Sequence, residues 1–154
     1  DAILHAVSFC AACDREYDLM ILLQPTSPLR TGDDITHALE FFMEHHCDSL
    51  LSLSELEEHP ILTRRIDEHT KRLKPLLPVG STVRRQDMPP YYHVNGAIYI
   101  NYCRDLTAET SLNDNHYGYV IPFPHGLDID TPQDLELASW YISPPHPKNT
   151  APIP

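Results

Sequence analysis

The sequence predicts an α/β sandwich with a mainly parallel sheet, and three features of the chain carry that expectation. Apolar side chains recur at helical spacing in three stretches, Ile3 to Ala11, Ile35 to Met43 and Leu135 to Tyr141. Short continuous apolar runs lie between them, led by Leu19-Met20-Ile21-Leu22-Leu23, and such runs mark strands covered on both faces. Helix and strand alternate along most of the chain, the order that helices packed over a parallel sheet produce.

The first stretch places Ile3, Val7, Cys10 and Ala11 on one helical face. Asp1 already lies inside that pattern, so a further segment is expected upstream of it. The Leu19 to Leu23 strand stops at Gln24-Pro25-Thr26-Ser27-Pro28-Leu29-Arg30, where two prolines exclude strand and helix alike. Thr31 or Asp33 then caps a helix that carries Ile35, Ala38, Leu39, Phe42 and Met43 on its apolar face. Ser49-Leu50-Leu51-Ser52-Leu53 reads as a second strand. Residues 55–93 change character, with polar and basic residues alternating with isolated apolar ones and with prolines between them. Short antiparallel strands in an excursion from the sheet are expected there. Gly96 to Ile100 is a strand preceded by Asn95-Gly96, a dipeptide that turns favour. Tyr117 to Phe123 is the next strand. Thr131 as cap, Pro132 in the first helical position and Asp134 in the first turn open the last helix. Residues 143–154 hold five prolines without periodicity and are expected to form a disordered tail.

At 154 residues the chain is long enough for one domain with a real core. A formal net charge of −11 argues against a nucleic-acid or anionic-membrane partner, since either needs a basic face. No apolar run approaches the ~20 residues that span a bilayer, and no signal-peptide pattern is present. Basic residues nevertheless gather at Arg64, Arg65, Lys71, Arg72, Lys74, Arg84 and Arg85, a cluster suited to an anionic small molecule. The four cysteines are too few for a disulfide scaffold. Cys10 and Cys13 have no partner pair at zinc-ligand spacing and read as small core thiols in a cytoplasmic protein.

The chemistry concentrates at Asp128-Ile129-Asp130. Residues i and i+2 of a strand share a face, so both carboxylates would aim at one spot. Mg²⁺ is commonly held by one or two carboxylates together with substrate phosphates. The alternative is that Asp130 or Thr131 caps the following helix and Asp128 is a solvated turn residue. Ligands of open α/β sheets bind beyond the carboxyl ends of strands, where Gln24, Arg30, Arg85, Asn95 and Tyr99 also fall by this reading. Gln24 and Asn95 offer amides for hydroxyl groups, Arg30 and Arg85 offer planar forks for a carboxylate, and Tyr99 an aromatic face. Each also has a plain structural use: a loop tie, a solvated face, a turn, the core.

Four motifs occur in a fixed order: Leu22-Leu23-Gln24-Pro25-Thr26-Ser27-Pro28-Leu29-Arg30, Arg84-Arg85-Gln86-Asp87-Met88-Pro89, Asn95-Gly96-Ala97-Ile98-Tyr99-Ile100 and Asp128-Ile129-Asp130-Thr131-Pro132. Together they resemble the N-acylneuraminate cytidylyltransferases, or CMP-sialic acid synthetases, over residues 1–142. The resemblance implies a three-layer Rossmann-like sandwich of the nucleotide-diphospho-sugar transferase type, truncated at the N-terminus. It implies CTP and a sialic-acid-type sugar as substrates, with the CMP-sugar and pyrophosphate as products. By the same resemblance Asp128 and Asp130 hold Mg²⁺ and act catalytically, while Gln24, Arg30, Arg85, Asn95 and Tyr99 line the sugar site. Residues 55–93 correspond to a dimerisation excursion, which implies a homodimer.

The departures matter equally. The family's glycine- and lysine-containing nucleotide loop has no counterpart, since the five glycines are spread singly. A family lysine expected near residues 62–65 is missing, although Arg64 or Arg65 could stand in, and an aromatic pair expected near Leu112 and Asn113 is absent. The chain by itself is therefore expected to be inactive. The alternative is a non-catalytic sugar-acid-binding or dimerisation module, and a related substrate such as legionaminate or a ketodeoxyoctonate stays open.

Overall fold

The computed structural model of the protein describes residues 2–78, 82, 84 and 87–143. The chain forms two compact units, Asp1–Ser54 with Val94–Pro154 and, separately, Glu55–His93. The first unit holds helices α1 (Ala2–Ala12), α2 (Gly32–Glu44) and α3 (Pro132–Ile142) around strands β1 (Leu19–Leu22), β2 (Ser49–Glu55), β5 (Tyr92–Tyr102) and β6 (Tyr117–Val120). The second holds the antiparallel pair β3 (Arg64–Ile66) and β4 (Leu73–Pro75), the kind of short strands expected in this segment.

The four strands of the first unit lie in the order β1-β5-β2-β6. β2 and β6 are parallel, from Leu50 opposite Tyr117 to Leu53 opposite Val120. β1 and β5 are antiparallel, from Leu19 opposite Tyr102 to Leu22 opposite Tyr99. The sheet is thus mixed, with a parallel pair and an antiparallel pair, and a continuous apolar run reports burial without information on strand direction. β5 is buried without a break from Asn95 to Asn101, as a strand flanked by others and covered on both faces must be. β1, read as equally covered, is only half-buried along its length because it lies at the edge of this sheet.

Two expected boundaries move. Asn95-Gly96 lies inside β5 rather than before it, and Gly96 takes φ +71 there. β6 ends at Val120, three residues before Phe123, and Ile121 instead donates its N–H to the Leu53 carbonyl at 2.9 Å. The last helix begins where its capping signals place it, while residues 144–154 of the expected tail lie outside the described residues.

Local signals account for the helix starts. Thr31 caps α2 and Thr131 caps α3, each accepting a bond from the backbone N–H three residues on, with Asp34 and Asp134 returning the bond. Such reciprocal pairs satisfy donors that the first turn leaves open. α2 then inserts Ala38 and Phe42, both fully buried, into a core with Cys47, Leu50, Ala97, Ile98, Ile100 and Ile121. Asn101 and Asn115 exchange amide hydrogen bonds of 2.9 Å in both directions, and Asn115 also donates to the Leu50 carbonyl at 2.7 Å. α1 buries no residue fully, although Ile3, Val7 and Cys10 form its less exposed face.

Phe42 and Met43 share the expected apolar face of α2, yet Phe42 is 0% exposed and Met43 55%. Phe42→Ala should therefore cost about 3–5 kcal/mol of unfolding free energy, and Met43→Ala no more than about 0.5 kcal/mol, by urea denaturation. Equal losses would place the helix in a different rotation.

Candidate functional site

The loop after β1 and the segment after β6 are far apart in sequence, and among the described residues a backbone bond joins them. Ile129 donates its N–H to the Thr26 carbonyl at 2.9 Å. Asp128 and Asp130 flank one end of this bond, and Pro25 and Ser27 flank the other. The aspartates do not sit on a strand, as their spacing suggested, since β6 ended at Val120 and residues 127–130 are irregular.

Asn95 builds the floor. Only 2% exposed, it accepts bonds at Oδ1 from Ser52 Oγ at 2.5 Å and from the Ala97 N–H at 3.1 Å. Its Nδ2 donates to Ser54 Oγ at 2.9 Å. Ser52 Oγ in turn accepts from the Ile98 N–H at 2.8 Å. The amide of Asn95 thus takes the place of ladder bonds where Gly96 turns to positive φ, a conformation glycine adopts without penalty. Gln24 lies directly over Gly96: a Cβ added there would collide with Gln24 Oε1. Arg30 Nη1 donates to the Ala97 carbonyl at 2.7 Å and to the Gln24 carbonyl at 3.2 Å. The Gln24 to Arg30 loop is thereby stapled onto β5. Burial lowers the Arg30 guanidinium from its usual value, and the Asp34 charge offsets part of that.

Tyr99 is 4% exposed and donates its hydroxyl to Asn113 Oδ1 at 2.8 Å, at the place where an aromatic pair was expected. Burial raises the Tyr99 phenol above its ordinary value and the nearby Asp128 charge adds to the effect, so this hydroxyl keeps its proton. Asp128 is half-buried, with Oδ1 shut away from solvent and without a hydrogen-bond partner. Asp130 is exposed, and its N–H reaches Asp134 Oδ2 at 3.2 Å, at the start of α3. The two carboxylates therefore differ in environment. Gln24, Arg30, Asn95, Tyr99 and Asp128 come together in one region, Asp130 lies at its exposed margin, and Arg85 lies outside the described residues.

Two contributors escaped the sequence reading. Asp34, besides closing the α2 cap, holds His125 Nδ1 at 3.0 Å from Oδ2 and 3.1 Å from Oδ1. This ties the helix that follows the Arg30 loop to the segment that carries Asp128. The Thr31 to Asp34 spacing was a visible signal for the cap, but nothing local pointed to His125. The second is Ser27, 1% exposed with no partner for Oγ. The basic cluster falls in the sequence of the second unit, and three of its members have partners within that unit. Arg64 donates to the Ile61 carbonyl at 2.6 Å, Lys74 lies 3.8 Å from Asp67, and Arg84 lies 2.8 Å from Asp87. A shallow hollow of about 370 Å³ beside Arg65, Asp67 and Lys74 is also in that unit. Among the described residues no three His, Cys, Asp or Glu side chains cluster as a metal cage, and no helix is long and apolar enough to cross a membrane.

Comparison with known proteins points one way. An N-acylneuraminate cytidylyltransferase of Streptococcus agalactiae (serotype V) is 36% identical over 119 residues, 75% of this chain and 28% of that protein. A CMP-N,N'-diacetyllegionaminic acid synthase of Legionella pneumophila is 31% identical over 123 residues, 79% of this chain and 52% of the relative. A pseudaminic acid cytidylyltransferase of Campylobacter jejuni is 27% identical over 135 residues, with 87% and 58% covered. The chain thus spans between about a quarter and three fifths of these relatives. No protein-family model matches it.

Asp34 provides a test of how the site is held. Burial alone would raise its carboxyl, but the bonds from Thr31 and His125 outweigh burial and hold it below its usual value. A depressed carboxyl stabilises the fold above the unfolded value and loses that contribution as pH falls through the folded one. Asp34→Asn should therefore cost about 1 kcal/mol near neutral pH, with the gap from wild type closing below pH ~4, read by urea denaturation across pH. A gap that widens in acid would contradict the assignment.

Proposed function

The chain belongs to the N-acylneuraminate cytidylyltransferase (CMP-sialic acid synthetase) family, and from that premise we propose that it forms the sugar- and metal-binding side of such an enzyme. The reaction is transfer of CMP from CTP to a sialic-acid-type sugar. The anomeric hydroxyl oxygen bonds to the α-phosphorus, the bond from that phosphorus to the bridging oxygen breaks, pyrophosphate leaves and the hydroxyl proton is released. The observation that carries this reading is the Ile129–Thr26 bond, which sets the Asp128 segment against the Gln24 to Arg30 loop.

The residues suit a hard divalent cation. A carboxylate oxygen on Asp128 that is shielded from water and has no donor is poised for one. Asp128 and Asp130 would hold Mg²⁺, which supplies charge neutralisation on the triphosphate and a more acidic sugar hydroxyl. Gln24 presents its amide above Gly96 to the sugar's polar groups. The Arg30 guanidinium, with Nη1 committed to two carbonyls, sets the remaining fork toward the sugar carboxylate, and Arg85 adds a second cation. Asn95 acts by fixing the β5 kink on which Gln24 rests, and Tyr99, kept protonated, closes the wall beside Asp128.

Within the Glu55–His93 unit, Leu62, Ile66, Leu73 and Leu76 are each about 60% exposed, and this apolar surface supports docking of a second copy there. Glycines spread singly support little or no turnover by this chain alone. The surroundings of the loop leave the choice between N-acetylneuraminate and the legionaminate or pseudaminate type of sugar to side-pocket contacts.

Calorimetry with N-acetylneuraminate, alongside pyrophosphate release with CTP and Mg²⁺, separates the possibilities. We expect the sugar to bind, Gln24→Ala to weaken binding about tenfold or more, and pyrophosphate to stay near background. No binding would remove the sugar site. Vigorous turnover would show that this chain suffices for nucleotide binding and end the assignment to one side of the enzyme.

A further inference from the structure

Two buried side-chain polar atoms among the described residues have no hydrogen-bond partner, Ser27 Oγ and Asp128 Oδ1. Their placement is related. Ser27 follows Thr26 and Asp128 precedes Ile129, so each neighbours one end of the 2.9 Å bond between the Ile129 N–H and the Thr26 carbonyl. Both residues therefore lie on the two backbones that this bond holds side by side.

Burial of such oxygens without partners is unfavourable, and more so for a carboxylate than for a hydroxyl. The loop gives Ser27 little local relief. Pro25 and Pro28 carry no N–H, and the Ser27 N–H is already turned to the Gln24 carbonyl at 3.4 Å. The nearest cation of the loop, Arg30, spends Nη1 on the carbonyls of Gln24 and Ala97. Oxygen lone pairs with no proton donor are what a hard cation satisfies, and a hydroxyl paired with an aspartate is a recurrent magnesium ligand set in phosphate chemistry.

We infer that Ser27 is a further ligand-binding residue of this site, its hydroxyl oxygen acting with Asp128 Oδ1 as donor to one divalent cation. The inference rests on the reading of Asp128 as a metal-holding carboxylate and deepens it. The inner protein oxygens of the cation are those of Ser27 and Asp128, with Asp130, which is exposed, as the outer carboxylate. A Pro-Thr-Ser-Pro loop then does more than end a strand: its prolines withhold two N–H donors from the neighbourhood of Ser27, whose hydroxyl stays without a partner.

Mn²⁺, a paramagnetic substitute for Mg²⁺, tests this on the full chain without nucleotide, with binding read by water-proton relaxation and folding by a metal-free melting curve. The wild type should bind Mn²⁺, Asp128→Asn should lose it, and Ser27→Ala should bind about tenfold more weakly. Ser27→Ala should also melt without metal at the wild-type temperature or above it, because it deletes an unpaired buried hydroxyl. Binding by Ser27→Ala equal to wild type, with Asp128→Asn still deficient, would overturn the inference alone and leave a bridging water as the partner of the two oxygens. A lower metal-free melting temperature for Ser27→Ala would assign the hydroxyl to folding and overturn it as well. Failure of the wild type to bind, or wild-type binding by Asp128→Asn, would overturn the reading of Asp128 and the inference with it.

Discussion

The amide of Asn95 is the constraint on which the first unit depends. Buried in the middle of the longest strand, it accepts from Ser52 and from its own chain at Ala97, and it donates to Ser54. Two of these bonds cross from β5 to β2, and the third stays within β5. A buried amide left unpaired would cost about 1–3 kcal/mol, so the network tolerates burial only because both serines of β2 stand at the right pleat. The local consequence is a kink at Gly96, and the kink is what lets the Gln24 side chain come down onto the backbone. Gly126 is drawn in by the same group, since a Cβ there would lie 2.6 Å from Asn95 Nδ2. One polar side chain thus places the loop after β1, the strand β5 and the chain that leads to Asp128.

How far this could be read from the sequence depended on the range of the signal. Caps are local, and Thr31 and Thr131 each announce a helix through residues within one turn. The amphipathic face of α2 was legible for the same reason, although Met43 shows that a stripe inferred from spacing is wider than the part that is buried. Asn95-Gly96 misled because its turn preference is a local property, and the contacts that override it come from Ser52 and Ser54, more than forty positions away. The direction of β5 against β1 was illegible for a related reason, as hydrophobic runs carry depth and not polarity.

The candidate site shows the same divide. The motifs singled out four segments, and the Ile129–Thr26 bond brings two of them together. Spacing treated Asp128 and Asp130 as equivalent, yet only Asp128 turns an oxygen into the interior. That difference follows from irregular backbone: without a strand pleat, i and i+2 have no obligation to share a face. Ser27 stood within a quoted motif without drawing notice, because its significance lies in what surrounds the hydroxyl and not in its identity.

The asymmetry between the two aspartates has a mechanistic use. A cation held wholly by exposed carboxylates would exchange freely with water and polarise a substrate weakly, since charges interact far less strongly in a high-dielectric setting. A cation held wholly by buried ones would resist the approach of a triphosphate that must itself supply ligands. On the proposed metal reading, an inward oxygen on Asp128 beside a Tyr99 that stays neutral, with Asp130 outside at the start of α3, would place the cation at the boundary between these conditions. His125 on Asp34 and the Thr26 carbonyl on Ile129 hold that segment from two sides, so the position of the carboxylate is set by the packing of α2 and the β1 loop rather than by the irregular backbone that carries it.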